Sequence, residues 1–497
     1  MSPAHPETRA RIAALTMGSL LLLALAASTA HSQDCIPGWE TFPDFQTNTV
    51  YAVYEHNDVV YRGGWFSLFR WNGSQWEVFG GGIGGNLTEL FVADFETYPG
   101  LPSDDNDLLI VAGYFPEAGD IVVHSIATWD GSTFGPVGGG VNGNIRALTV
   151  YNGDLIAGGD FSVAGGISAR NIARWDGNAW HPLGSGVYDP VPDGSTDEVR
   201  DMAVWNGDLY VVGSFSHAGD EEVSYVARWD GSQWSDVGGG VSVIGGGFTG
   251  NRGVGPHGDE LVITGAFDFA GGVPAINIAA WDGAEWSPLG SGSDPYDENF
   301  GFRQAALSVA SYKDLLYVGA DFSDAVGMDA RALAVWDGES WSPVDEGLWG
   351  EGLFGPFVMD LQVAGEGVTA SLLMGGDFNL ANGEPTDNMA RYTYCEETSG
   401  LAAVERPGGT LRVHLSRNPA ASGTDYTIRL AQPARVRAAL FDVNGRRMAS
   451  LLQRSLPAGD HRFHLDLAGP GQAAGGVRYL RVEAAGNVAA RKLILMP

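Results

Sequence analysis

A tryptophan followed by aspartate and glycine returns along the chain at Trp129, Trp175, Trp229, Trp281 and Trp336, and Trp71 and Tyr392 hold the same place in a first and a seventh unit. The successive steps are 58, 46, 54, 52, 55 and 56 residues, by subtraction of those positions. A period near fifty, carried by double glycines as well as tryptophan, reads as a β-propeller with one four-stranded blade per repeat. In the third unit the four strands are expected at 145–150, 155–161, 171–175 and 179–183, bounded by turn signals. Gly138-Gly139-Gly140 precedes the first of them, and the missing side chains would let that strand crowd towards the propeller axis. Asp-Gly joins the third strand to the fourth, a pair suited to the positive φ of a tight hairpin. Tryptophans on both sides of that hairpin, such as Trp229 and Trp234, could cover the face between neighbouring blades.

The seventh unit stops short. It runs through Met374-Gly375-Gly376-Asp377-Phe378 and Met389-Ala390-Arg391-Tyr392, then breaks off at Cys395 without a fourth strand. Trp39-Glu40-Thr41-Phe42 matches Trp76-Glu77-Val78-Phe79, the fourth strand of the first unit. The N-terminal segment is therefore expected to complete the seventh blade and remove its open edge. In this alignment Cys35 and Cys395, the only two cysteines, fall at one hairpin, and a disulfide is expected to join them. Free thiols or a metal site are the alternatives, and His31 is the only neighbouring histidine.

Arg9 and Arg11, an apolar run over 12–27 and then Ser28-Thr29-Ala30 read as a signal peptide over residues 1–30. No other segment approaches the ~20 apolar residues of a membrane span, so the mature chain is expected to be soluble and exported, a setting in which a disulfide persists. The 497 residues include 44% hydrophobic and 11% aromatic ones, which excludes low-complexity disorder despite 72 glycines. Charge is uneven. Residues 404–497 carry 14 basic and 6 acidic residues, while residues 31–403 carry 12 basic and 53 acidic ones, out of 28 and 60 in all. Such a domain repels nucleic acid and anionic membranes and attracts cations or cationic partners.

After a polar linker at 396–406, residues 407–497 read as a small β-sandwich with strands at 411–415, 426–430, 436–441, 447–451, 462–467, 479–482 and 489–495. Asn418-Pro419, the run from Leu440 through Asp442, Gly445 and Arg446 to Arg447, Ala458-Gly459 and the closing Arg491-Lys492-Leu493-Ile494-Leu495 carry a resemblance. This stretch is similar to the C-terminal sorting domain of bacterial type IX secretion cargo and to the Ig-like domain of the flagellar hook-capping protein. Arg478 departs from the aromatic residue usual at that place. The resemblance implies an Ig-like fold, an export machinery as partner, and delivery beyond the outer membrane, to the medium or the cell surface. Gly-Gly-Asp-Phe and Ala-Arg-Trp-Asp-Gly make residues 31–395 resemble the kelch-like repeat propellers of secreted bacterial proteins. The expected architecture is thus all-β: a seven-bladed β-propeller closed by its N-terminal strand, followed by an Ig-like sandwich.

Repeated residues belong first to the scaffold. Asp130, Asp176, Asp230, Asp282 and Asp337 are expected to serve their hairpins, and Asp160, Asp321 and Asp377 to accept hydrogen bonds in local turns or to hold a cation. Function is sought where the repeat is broken, in the connections that swell at 188–199, 242–250, 294–301 and 345–355. The candidate ligand-binding residues there are Tyr188, Asp189, Asp193, Asp197, Glu198, Asp294, Tyr296, Asp297, Glu298, Asp345, Glu346, Trp349 and Glu351. Carboxylates beside aromatics could coordinate calcium or bind a glycan or a protein; solvated acidic loops are the alternative. No catalytic motif is present: the histidines His56, His124, His181, His217 and His257 share no metal-ligand spacing, and Arg70, Arg174 and Arg228 sit in repeated positions, so no arginine cluster is expected. The leading expectation is an exported, non-enzymatic binding or adhesion protein. The alternative is a secreted carbohydrate-active enzyme using paired carboxylates of the acidic loops.

Overall fold

The computed structural model describes the chain between residues 38 and 495, apart from 43–48, 86–88, 99–106, 191–196, 244–251, 290–305, 321–323, 326–327, 339, 346, 351–355, 366, 368–369, 395–410, 416–422, 431–432, 443–446, 467–475 and 485–486. The expected signal segment, both cysteines and the expected linker lie outside the described residues. What is described is all-β and propeller-like: seven four-stranded antiparallel sheets follow one another between residues 38 and 393. The third has strands Asn144–Tyr151, Asp154–Asp160, Ile172–Trp175 and Trp180–Pro182, within a residue or two of the expected limits. The first strands of the seven sheets are Val50–His56, Phe91–Tyr98, Asn144–Tyr151, Glu198–Trp205, Gly253–His257, Ala306–Tyr312 and Phe357–Ala364. Each packs against the next, and the last returns to the first, so they form a closed ring around an axis.

The seventh sheet takes its outer strand from the other end of the chain. Gly38–Thr41 pairs antiparallel with Met389–Thr393, with Trp39 opposite Tyr392. Phe42 follows directly and is 1% exposed. Its backbone N–H donates to Thr386 Oγ1 at 3.2 Å. Trp39 Nε1 donates to Asp345 Oδ2 at 2.9 Å, tying the closing strand to the sixth-to-seventh connection.

The double glycines are explained by close approach. A Cβ on Gly158 would lie 2.5 Å from Val199 Cγ1 of the next sheet, and one on Gly159 would lie 2.0 Å from Asn144 O of its own. Gly63, Gly319 and Gly375 meet Val92, Val358 and Val50 in the same way. The Gly138-Gly139-Gly140 run works differently from the expectation. All three adopt positive φ (53, 85 and 67°). They form a turn beneath Trp175 of the next sheet, where a Cβ on Gly138 would lie 2.1 Å from the indole. The turn therefore makes room for tryptophan rather than for the axis.

Tryptophan pairs flank the hairpins as expected, with ring centroids 5.7 Å apart for Trp175 and Trp180 and 5.1 Å for Trp229 and Trp234. The second member of each pair also reaches the preceding sheet: Trp180, Trp234, Trp286 and Trp341 donate Nε1–H to the carbonyls of Val137, Leu183, Val237 and Leu289 at 2.8–3.1 Å. In the hairpins themselves only the glycine takes positive φ, 89° at Gly177. The aspartate caps the loop instead, Asp176 Oδ1 accepting from the N–H of Asn178 at 2.9 Å and of Ala179 at 2.8 Å. Asp130, Asp230 and Asp282 repeat this pattern. These backbone hydrogen bonds, together with neighbouring side chains, hold the Asp130, Asp176 and Asp230 carboxyls down at about 2.

Residues 411–495 form two further antiparallel sheets. One contains Leu411–Leu415, Gly423–Leu430 and Gly459–Asp466; the other contains Arg447–Leu456, Ala434–Asp442, Gly476–Ala484 and Asn487–Leu495. Ile428 and Leu465 of the first share a buried cluster with Val436, Leu440 and Leu480 of the second. Asp442 stands opposite Arg478, and Arg491 and Lys492 stand opposite Leu480 and Tyr479. Gly445 and Arg446 lie outside the described residues.

Candidate ligand-binding cavity

In six of the seven innermost strands one extra residue interrupts the pairing with the second strand: Tyr51, Ala93, Arg146, Arg200, Leu307 and Met359. In the fifth sheet Arg252 holds the same place, immediately before Gly253–His257, and donates its N–H to Thr264 O at 2.9 Å. A bulge breaks the two-residue alternation and re-aims one side chain. Here the seven re-aimed side chains converge: all of them line one cavity of 1340 Å³. The second-to-third connections supply further lining through Asp160, Phe161 and Ser162, and the third-to-fourth sheet connection supplies Tyr188, Asp189 and Asp197.

The ring of bulges is two-sided. Sheets three, four and five present Arg146, Arg200 and Arg252, whereas the sixth, seventh, first and second present Leu307, Met359, Tyr51 and Ala93. Beside the second group stands an aromatic wall. Tyr51 and Trp65 have centroids 5.9 Å apart, Trp65 and Phe91 5.7 Å, and Phe91 and Tyr114 6.2 Å. The Arg146 guanidinium lies over Phe91 at 4.9 Å, joining the two sides.

Glu198 organises the arginines. It is 4% exposed. Its carboxylate lies 3.3 Å from Arg146 Nε and 2.5 Å from Arg200 Nη2. Burial lowers the affinity of Arg200 and Arg252 for their protons, and repulsion from the neighbouring guanidinium groups works in the same direction, against the attraction of Glu198. Three cations are thus held close together over one buried carboxylate. The expectation that the arginines are spent in repeated positions needs correction. Arg174 and Arg228 do pair with Asp154 and Asp208, from the third strand to the second of their own sheets, but three others form a cluster. A signal for it was present: the steps 146 to 200 and 200 to 252 are 54 and 52 residues, the same as those from Trp175 to Trp229 to Trp281.

The position after the bulge, where it holds a carboxylate, faces the innermost strand of the following sheet. Asp94, Asp201 and Asp360 occupy it in three sheets and accept the N–H of Leu148 at 2.6 Å, Val254 at 2.8 Å and Val53 at 2.8 Å from the following sheets. Burial pushes Asp201 up to about 7 and Asp360 up to about 6, and raises Asp94 well above its ordinary value, with help from the charge of Asp360. These groups staple neighbouring strands rather than face the cavity.

Of the residues singled out in the sequence, Tyr188, Asp189 and Asp197 line the cavity, and Glu198 lies behind it. Tyr188 carries the Arg170 guanidinium over its ring at 4.6 Å and stacks on His217 at 5.5 Å. The Asp189 N–H donates to Asp197 Oδ2 at 3.0 Å. Asp160, expected as a turn acceptor or as a holder of a cation, lines the cavity, and burial raises its carboxyl. Asp345 faces Trp39 instead, and Trp349, 43% exposed, lies under Arg331 at 3.5 Å. Tyr188 and Trp349 are also not in plain loops: Val187–Tyr188 pairs with His217–Ala218 and Leu348–Trp349 with Leu380–Ala381 in small extra sheets that brace the connections. Asp193, Asp294, Tyr296, Asp297, Glu298, Glu346, Glu351 and Asp321 lie outside the described residues.

No family model matches the chain, and no curated protein matches it in sequence. Among solved structures the chain is similar to the computationally designed Ika8 protein at 11% identity and a TM-score of 0.38, over 71% of this chain and 98% of that one. It is also similar to a glycoside hydrolase family 43 arabinoxylan arabinofuranohydrolase from Bacillus subtilis at 9% identity and a TM-score of 0.27, over 92% and 97%. With likeness this distant, the functional reading rests on the chain's own residues.

Proposed function

We propose that the chain is an exported, non-enzymatic binding protein: a seven-bladed, kelch-like β-propeller closed by its N-terminal strand, carrying its ligand in the cavity over the ring and followed by an Ig-like sorting domain that delivers it outside the cell. The observation that carries the binding reading is the convergence of one bulge residue from every sheet on a single cavity. Scaffold positions repeat the same residue, but these seven hold three arginines on one side and Leu307, Met359, Tyr51 and Ala93 on the other, an asymmetry that a shaped site requires. At 1340 Å³ the cavity exceeds the roughly 300–1,000 Å³ of ordinary small-molecule pockets, which suits an oligomeric ligand. The export reading is supported by the N-terminal charged and apolar run and by the motif at Asp442, Arg491 and Lys492.

Filling the cavity tests the reading. Ala93→Trp and Leu307→Trp are expected to abolish binding of glycans captured by the wild-type full chain, with unchanged melting temperature and no hydrolysis of the bound glycan. Binding that survives both substitutions would place the ligand elsewhere, and release of shorter products would favour the carbohydrate-active enzyme. Fractionation of cells expressing the chain with and without residues 407–497 tests delivery, which is expected to be lost with the tail.

A further inference from the structure

The two-sided lining specifies what the cavity would hold. Residues 31–403 carry only 12 basic residues, Arg62, Arg70, Arg146, Arg170, Arg174, Arg200, Arg228, Arg252, Arg303, Lys313, Arg331 and Arg391, in a chain of net charge −32. Four of them, Arg146, Arg170, Arg200 and Arg252, line this one cavity. An acidic surface has no need to crowd guanidinium groups together, and crowding them on desolvated neighbouring strands is costly unless an anion offsets it. Guanidinium forks match a carboxylate in planar, bidentate geometry, and Glu198, gripped from below by Arg146 and Arg200, fixes their direction. Across the cavity, Tyr51, Trp65 and Tyr114 offer apolar ring faces. Asp160, Asp189, Asp197 and Glu89 also line the cavity, where carboxylate oxygens can accept hydrogen bonds from hydroxyl groups, while the Asn142 amide is engaged by Ser162 and Val163. The bare apolar body of a simple fatty or aromatic acid would desolvate these carboxylates without a hydrogen bond in return, whereas sugar hydroxyls donate to them.

We infer that the ligand is a carboxylate-bearing oligosaccharide, its acid group held by Arg146, Arg200 and Arg252 and its C–H faces laid on the Tyr51–Trp65–Tyr114 wall. This rests on the binding reading above and names its ligand class. Sugar rings supply all three chemistries at once: an apolar face for stacking, hydroxyls for the acids, and, in the oxidised sugars, a carboxylate for the arginines.

Calorimetric titration of the full chain with oligogalacturonate, with the same oligomer after reduction of its carboxyl groups, and with a sulfated oligosaccharide of equal length tests the inference. Oligogalacturonate is expected to bind at least about tenfold more tightly than either of the others, a difference of about 1.4 kcal/mol. Arg252→Gln and, independently, Arg146→Gln are expected to remove most of that preference for the acidic over the reduced oligomer; Arg252→Lys, which keeps charge but loses the fork, should fall between. Equal binding of the acidic and reduced oligomers, displaced by Ala93→Trp, would overturn the carboxylate inference and leave the cavity reading standing. Equal binding of the sulfated oligomer would overturn the selectivity for carboxylate. Absence of binding to every oligomer would overturn the inference and count against the cavity reading as well. Should either arginine variant fail to fold, the wild-type comparison among the three oligomers decides.

Discussion

The two ends of the seven sheets obey different rules. At the hairpin end Asp130, Asp176, Asp230 and Asp282 perform one task, each capping its own loop through two backbone N–H groups. At the cavity end the bulge position is equally regular in backbone but holds Tyr51, Ala93, Arg146, Arg200, Arg252, Leu307 and Met359. The first end teaches what a ring of sheets needs in every copy. The second shows that a regular backbone device can deliver arginine in three neighbouring sheets and apolar or aromatic side chains in the other four, so that chemical individuality is laid over an unchanging frame.

If that contrast holds, changes to the frame should cost stability, and changes at the bulges should cost recognition alone. The largest effect is expected on removing residues 31–42, which takes away the strand paired with Met389–Thr393 and the buried Phe42. Differential scanning calorimetry should show a fall in Tm on the order of 10 °C. Next comes Gly158→Val, which drives a side chain into Val199 and is expected to cost about 3 kcal/mol in denaturant unfolding. Gly153→Ala at the hairpin end, where φ is 88° and no atom stands within 4 Å, should cost only about 1 kcal/mol. Equal losses at the two glycines would break the contrast. Smaller still is Trp234→Phe, which keeps the ring contact with Trp229 but loses the bond to Leu183 O; urea titration should show about 1 kcal/mol lost.

A further effect concerns pH, and its sign differs between the ends. Asp201 rises from 3.8 to about 7 on folding, so stability is greatest at the acid side and is lost as pH rises through that window. Asp130 falls from 3.8 to about 2, so its contribution is present above about pH 4 and is lost as pH falls towards 2. Melting curves of Asp201→Asn should therefore flatten between pH 4 and 7, and those of Asp130→Asn should flatten below pH 4. Matching pH profiles for the two variants would refute the assignment of opposite burial.

The sequence made some of this legible and hid the rest. The tryptophan period gave the sheets their number of strands, and the match between Trp39 and Trp76 foretold the pairing of Gly38–Thr41 with Met389–Thr393. Swollen connections drew attention to Tyr188, Asp189, Asp197 and Glu198, which gather at the cavity and its floor. Arg146, Arg200 and Arg252 escaped notice because a bulge leaves no mark in hydrophobic alternation: the extra residue looks like one more strand position. Repeat alignment taken down to the single residue would have shown them in register. Asp94, Asp201 and Asp360 escaped for a related reason, since a carboxyl that caps a neighbouring sheet has its partner far away in sequence, 54 residues for Asp94 and Leu148, 53 for Asp201 and Val254 and 307 for Asp360 and Val53.

The pairing of Trp39 with Tyr392 also governs the order of events in making the molecule. The two residues are 353 positions apart by subtraction, so at about 5–20 residues per second a ribosome needs roughly 20–70 s between delivering one and delivering the other. Throughout that interval the first-made strand has no partner in the seventh sheet, and the newest sheet has a bare edge. A stack of repeats open at both ends can settle unit by unit as it emerges; a ring locked by its own beginning cannot. The chain therefore reaches its finished state in one late step, which gives any carrier that moves unfolded polypeptide a defined span of time in which to act.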